Sequence, residues 1–292
     1  MANKQYKIAI LSGKGGTGKT LVSVNMASVA NYSMYIDCDV EEPNGHLFFK
    51  PIGLSTKDVC VGVPRVDHSM CNGCRKCVDF CQFNALAYVG DKLKILDELC
   101  HSCGGCVLVC PQKALHESKQ KIGEIVKGVS NHVAVVTGIL NEGETSGVPI
   151  IKELLGYANT QMNYTFIDCP PGSACTVMES IKEADYCLIV AEPTLFGVHN
   201  LNMVYELVTL FKKPHGVILN KCIDGQTLAE DFCSKNKINV IGKIPFDEKL
   251  GLLNSKALIV ANEQDEYRQI FNTLLKKITK EIDDEATINL KR

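Results

Sequence analysis

Two stretches of this 292-residue chain combine residue types and spacings that do chemistry. The first is Gly13-Lys14-Gly15-Gly16-Thr17-Gly18-Lys19-Thr20, in which Gly13, Gly18, Lys19 and Thr20 fit the phosphate-loop pattern G-x-x-x-x-G-K-[ST]. Glycines let successive backbone N–H groups turn toward one anion, and a following helix adds its positive N-terminal end. Lys19 is then placed to reach β- and γ-phosphates, and the Thr20 hydroxyl to ligate Mg²⁺. The second is a pair of cysteine runs, Cys71-x2-Cys74-x2-Cys77-x3-Cys81 and Cys100-x2-Cys103-x2-Cys106-x3-Cys110-Pro111, offset by 29 positions. A chain of this size without a signal peptide uses such thiols for metal rather than for disulfides.

C-x2-C-x2-C-x3-C-P is the ligand run of bacterial two-cluster ferredoxins, in which the fourth cysteine of each run serves the other cluster. That assigns Cys71, Cys74, Cys77 and Cys110 to one [4Fe–4S] cluster, and Cys100, Cys103, Cys106 and Cys81 to a second. Zinc sites favour paired C-x2-C knuckles instead of a four-cysteine run with this offset. Gln82 replaces the proline expected after Cys81, which touches local turn geometry and leaves the ligand intact. Gly73, Gly104 and Gly105 suit close backbone approach to sulfide. Ala85-Leu86 and Ala114-Leu115 fall at matching places after each run, as a pseudo-twofold repeat requires.

These groups must be carried by elements. Apolar runs at 6–11, 33–37, 132–138, 164–168, 186–191, 215–220 and 239–242 read as strands, each followed by a helical pattern or a loop leading to one. This alternation predicts an α/β fold with a mostly parallel sheet and helices on both faces. The cysteine segment, residues 57–118, reads as a small inserted α+β ferredoxin-like domain. It divides the phosphate-loop domain into 1–56 and 119–282 and leaves 283–292 as a polar, frayed tail. Two strands end in carboxylates, Asp37-Cys38-Asp39 and Asp168, at the strand ends where parallel sheets bind ligands. Asp39 is placed to hold a metal-bound water or to orient an attacking one.

Lys14, directly after the first loop glycine, makes Gly13–Thr20 resemble the deviant Walker A loop of the MinD/ParA/Mrp class, which includes the nitrogenase iron protein. The resemblance implies Mg-ATP binding and hydrolysis, with Lys14 crossing a nucleotide-sandwich homodimer to the partner's phosphates. It puts Lys14, Lys19 and Asp39 in catalysis, with Asp39 in the first switch and Asn44 beside it. Asp168 becomes the Walker B carboxylate that holds Mg²⁺ through water, followed by a second switch at Cys169-Pro170-Pro171-Gly172. Asn220, Lys221, Pro245 and Asp247 correspond to the surroundings of adenine, and the Asn220 amide to the reader of base edges. Leu21 stands where relatives often carry a threonine on the α-phosphate, a contact its backbone N–H still offers.

Net charge of −2 gives no electrostatic case for nucleic acid. No apolar stretch approaches a membrane span, so the expected location is cytoplasmic. A stripe of Ile270, Phe271, Leu274, Leu275, Ile278 and Ile282 is expected to pack on the sheet and not on a lipid surface. Of the other seven cysteines, Cys169 and Cys175 flank the second switch, and an inert role is favoured over metal binding. Three functions remain, in order. One is an ATP-driven electron-transfer switch acting on a redox partner. The second is an assembly or carrier factor that loads a metal or cluster into an apo-metalloprotein. The third is a positioning ATPase whose clusters are structural or sensing.

Overall fold

Apolar, β-branched runs closed by acidic or small polar residues become the strands. In chain order they are β1 (Tyr6–Leu11), β2 (Ser33–Asp37), β3 (Ile52–Val66), β4 (Leu86–Val89), β5 (Lys92–Ile95), β6 (Leu115–Ser130), β7 (Val133–Leu140), β8 (Tyr164–Asp168), β9 (Tyr186–Ala191), β10 (His215–Cys222) and β11 (Val240–Pro245). The computed structural model describes residues 4–158 and 162–289. Among these, one sheet has the order β11-β10-β9-β1-β8-β2-β7-β6-β3. Every ladder from β11 to β7 is parallel, while β7–β6 and β6–β3 are antiparallel. β4 and β5 pair as a separate hairpin.

Helices cover both faces, which is why the central strands are apolar on both sides. One face buries Val22 and Met26 of the helix Lys19–Val29, and Phe271 and Ile278 of the helix Asp265–Asn289, with Ile8, Ile10 and Phe166 of the sheet. The other buries Ile150 and Leu154 of Val148–Leu155, Val177 of Cys175–Ile181 and Val204 of Leu195–Leu210, with Ala9, Ile36 and Ile167. The C-terminal stripe therefore belongs to the core. No helix among the described residues is long and apolar enough to cross a membrane.

Two local expectations change. Where the sequence reading put a frayed tail from 283, the helix runs on to Asn289, and 290–292 lie outside the described residues. Once Ile278 and Ile282 anchor a turn, each further residue adds a hydrogen bond without a new nucleation cost. The helix expected over 148–159 is α-helical only through Leu155, with a tighter turn at Gly156–Ala158; Asn159 lies outside the described residues.

The cysteine segment leaves the sheet on a long ribbon. β3 and β6, 15 and 16 residues long, pair antiparallel from Ile52 opposite Val129 to Val66 opposite Leu115. This ladder crosses the expected boundaries at 56/57 and 118/119 without a break, because β6 also pairs with β7 of the main sheet. Between Val66 and Leu115 the 29-residue repeat is written into the backbone. Positive φ occurs in the related pairs Gly73 and Ser102, Arg75 and Gly104, and Asn84 and Lys113. The short helices Lys76–Phe80 and Gly105–Leu108 are related in the same way. A Cβ at Gly105 would meet the Phe80 ring, so that glycine serves the approach of these two helices and not an approach to sulfide.

Candidate functional site

The phosphate loop lies between the end of β1 and the helix Lys19–Val29. Gly18 caps that helix at φ 92°, a left-handed conformation, and a Cβ there would strike the Asn220 amide. The helix has no side-chain cap and no acidic residue in its first turn, so its N-terminal amides remain available to an anion. The end of β10 holds the loop from outside. Asn220 Nδ2 donates to the Thr17 carbonyl at 2.7 Å, and Lys221 Nζ donates to the Gly16 carbonyl at 2.7 Å. Thr17 is buried and its hydroxyl has no hydrogen-bond partner. Gly13 packs against Asn200 of the helix Leu195–Leu210, behind the loop.

Beneath the loop, carboxylates converge from two adjacent strands. Asp37 of β2 is directly opposite Asp168 of β8. Lys19 Nζ lies 2.6 Å from Asp168 Oδ1 and 3.8 Å from Asp39 Oδ2. The Tyr35 hydroxyl donates to the other Asp168 oxygen at 2.7 Å. Asp37 accepts backbone N–H bonds from Gly45 at 2.9 Å, Asn44 at 3.2 Å and Asp39 at 3.3 Å. Burial alone would drive the Lys19 ammonium toward neutrality, but Asp168, then Asp39 and Asp37, outweigh it and hold it above the ordinary lysine range. Burial and the charge of Asp168 push Asp37 up to about 7. Burial raises Asp39 to about 6 against the opposing pull of Lys19. Lys19 is thus the cation that these three carboxylates share; among the described residues no group of three or more Asp, Glu, His or Cys side chains is placed to hold a metal ion as it stands.

Lys14 points back into its own chain, 2.8 Å from Glu192 Oε2, and Lys221 holds the other oxygen at 2.7 Å. Burial would raise the Glu192 carboxyl, but the hydrogen bonds from Lys14 and Lys221 outweigh it and leave the group below the usual carboxylate range. In the single chain, Glu192 is therefore the anion that Lys14 finds.

Lys14, Lys19, Thr20, Leu21 and Asp39 open onto a cleft of about 560 Å³ whose far wall carries Asn220, Lys221, Pro245, Phe246, Asp247 and Asn254. Besides Lys221, which is held by Gly16 and Glu192, two of these expected base neighbours are already engaged. Asn220 spends one amide N–H on Thr17, and Asp247 caps the helix Glu248–Ser255 while accepting from Tyr267. Asn254 has a buried side-chain oxygen without a partner. Sequence reading placed Asp37 among the carboxylates at the strand ends without giving it a role of its own, and gave none to Tyr35 or Glu192. The available signal was chemical: a tyrosine and an aspartate inside a strand otherwise read as apolar each need a buried partner.

The eight paired cysteines divide into two cavities. Cys71, Cys74, Cys77 and Cys110 line one; Cys81, Cys100, Cys103 and Cys106 line the other. Backbone N–H groups already point at the sulfurs. Ala85 N–H donates to Cys81 Sγ at 3.4 Å, and its repeat mate Ala114 N–H donates to Cys110 Sγ at 3.3 Å. Ser102 N–H donates to Cys100 Sγ at 3.4 Å. Of the remaining cysteines, Cys169 is sealed in the core, where burial and then Cys38 push its thiol well above the ordinary range, whereas Cys175 is exposed.

A second groove of about 560 Å³ joins the two regions. Cys100, His101 and Ser102 form one wall, Ala174, Cys175 and Thr176 another, with Glu41 at the edge and Val61, Val63 and Ile122 of the ribbon inside. The cysteine loop thus faces the segments that follow Asp39 and Asp168.

Comparison with known proteins agrees with this geometry. An uncharacterized protein of Methanocaldococcus jannaschii is 30% identical over 250 residues, covering 83% of this chain and 87% of that one. An iron-sulfur cluster carrier protein of Methanococcus maripaludis is 22% identical over 306 residues, covering 96% and 88%. The cell division ATPase MinD of Pyrococcus furiosus superposes with a TM-score of 0.60 at 17% identity, covering 96% of this chain and 99% of that one. The model of the CobQ/CobB/MinD/ParA nucleotide binding domain matches residues 8–259, and the chain belongs to that family.

Proposed function

We propose that this protein is an Mg-ATP-hydrolysing iron–sulfur protein in which the nucleotide controls electron transfer through two [4Fe–4S] clusters to a partner protein. The single observation that carries the coupling is the groove in which Cys100–Ser102 faces Ala174–Thr176 and Glu41. A change in the segments after Asp39 and Asp168 alters the wall beside a cluster ligand.

The residues fit the groups this reading needs. Asp37, Asp39 and Asp168 share one cation, Lys19, and the uncapped amides of the helix Lys19–Val29 are free for phosphate oxygens. Thr20 and, through water, Asp168 would hold the metal, and Asp39 would orient the attacking water. Bound Mg²⁺ supplies neutralisation of charge on the β- and γ-phosphates. Lys19 exchanges Asp168 for those phosphates. Lys14 exchanges Glu192 for the phosphates of a second copy, which makes ATP the signal for a homodimer. Each four-cysteine cavity has the thiol number of a [4Fe–4S] cluster and backbone N–H donors directed at cysteine sulfur. The two switch segments then act on the groove when the γ-phosphate leaves.

A carrier function is the second reading, favoured by the relatives named iron-sulfur cluster carrier proteins. It predicts that cluster iron moves to an added apo-ferredoxin in an ATP-dependent manner. Retention of all the iron excludes it.

The nucleotide half is tested by phosphate release from Mg-ATP and by its metal dependence on pH. Asp37 and Asp39 titrate near about 7 and about 6, and their protonated forms attract a cation less. Mg²⁺ affinity of the nucleotide-bound protein, corrected for binding to free nucleotide, is expected to rise roughly tenfold from pH 6 to pH 8. Asp37→Asn flattens the profile. A profile unchanged by that substitution, or absence of any Mg-dependent turnover, contradicts the site.

A further inference from the structure

Tyr35 is a buried side chain that touches the metal-side carboxylate and packs on the short helix that precedes the ribbon. Its hydroxyl donates to Asp168 Oδ2 at 2.7 Å, while Lys19 holds Oδ1 at 2.6 Å. When Lys19 turns to a phosphate, the Tyr35 hydroxyl is the Asp168 contact that remains. The hydroxyl end of the Tyr35 ring also lies against the short helix Gly45–Phe49. A Cβ at Gly45 would collide with the Tyr35 ring, so the helix backbone rests directly on it. The Phe49 ring lies 5.1 Å from the Tyr35 ring. Phe49 in turn accepts the Ser130 hydroxyl through its carbonyl, and Ser130 ends β6 where β3 begins on the opposite strand.

We propose that Tyr35 is a positioning residue for the metal site: its hydroxyl fixes the Asp168 carboxylate for Mg²⁺, and its ring seats the helix from which the ribbon starts. The inference rests on the Mg-nucleotide reading given above. Nothing in the loop motif calls for a hydroxyl here, and a β2 position needs only bulk to fill the core. A phenol adds a hydrogen bond in a buried setting, where a carboxylate that loses a donor reorients or binds a proton. The oxygen kept by Tyr35 stays fixed, and the oxygen released by Lys19 turns toward the cleft.

Tyr35→Phe removes the hydroxyl and keeps the ring that packs on Gly45 and Phe49. The measurement is Mn²⁺ binding to the nucleotide-bound protein, read by electron paramagnetic resonance, beside nucleotide binding without metal. The expected result is roughly tenfold weaker Mn²⁺ binding, unchanged metal-free nucleotide binding and a Tm close to the original. Mn²⁺ affinity within twofold of the original overturns the proposal, as does an equal loss of metal-free nucleotide binding, which would mark Tyr35 as structural. If the phenylalanine variant does not fold, Tyr35→Met, a smaller but flexible apolar side chain without the hydroxyl, takes its place in the same measurement. An original protein that binds no Mn²⁺ with nucleotide overturns the Mg-nucleotide reading itself, a result distinct from either outcome of the substitution.

Discussion

If the protein carries the two proposed clusters, replacing Cys110 with alanine is expected to remove one, the cluster assigned to Cys71, Cys74 and Cys77. Iron per chain falls from about eight atoms to about four, because each [4Fe–4S] cluster needs its fourth thiolate. The decisive readout is which thiols become reactive. In the anaerobic variant, Cys71, Cys74 and Cys77 are expected to be alkylated by iodoacetamide, while Cys100, Cys103 and Cys106 stay protected. Cys81→Ala gives the mirror result. The reason is geometric: Cys110 lines the first cavity and Cys81 the second, although each belongs by sequence to the other run. Exposure of Cys100, Cys103 and Cys106 in the Cys110 variant would mean that each run binds its own cluster, and the crossed assignment would fall.

Lys19→Met is the second large effect, and it acts on stability as well as on nucleotide. Lys19 is the cation beside Asp168 and Asp39 under the loop, and its side chain is almost fully buried. Removing one partner of a buried ion pair leaves charge uncompensated, at a cost of about 3–5 kcal/mol. The sign of its pH dependence follows from burial. Asp37 and Asp39 already have folded-state values raised to about 7 and about 6, and loss of Lys19 raises them further. A carboxyl raised on folding binds more protons in the native state, so stability falls as pH rises through that value. Urea unfolding of Lys19→Met should therefore show the largest deficit at pH 8 and a partial recovery at pH 5.5. ATP hydrolysis should fall by about a hundredfold or more, since Lys19 is the cationic donor to the transferred phosphate. A deficit independent of pH would show that these carboxylates do not depend on Lys19.

How much of this was legible depended on whether a short local pattern carried the physics. β1, β2, β8 and β9 match the apolar runs because each is buried on both faces and closed by a polar residue or loop. The phosphate loop was legible because Gly18 needs a positive φ and Lys19 a fixed offset from it. The cysteine sets were legible because the repeat constrains backbone as well as ligand, down to positive φ at Asn84 and Lys113. The ribbon was not. Its residues 52–58 are exposed and mixed in polarity, so no alternation marked them as strand, and pairing with distant 115–130 decides their state. The Tyr35–Asp168 bond was also invisible, because it joins residues brought together only by β2 and β8 in register. Glu192 could not be assigned because its value lies in two lysines from separate loops.

The central claim is that nucleotide state reaches the clusters. It is tested most directly by the midpoint potentials of both clusters in the anaerobic protein, titrated without nucleotide, with Mg-ADP and with a non-hydrolysable Mg-ATP analogue. The cluster that includes Cys100 borders the groove opposite Ala174–Thr176, and cluster potential depends on hydrogen bonding and exposure at the sulfurs. Its potential is expected to differ between the analogue and nucleotide-free forms, while the cluster that includes Cys71 shifts less. Identical potentials for both clusters in all three states would contradict nucleotide control.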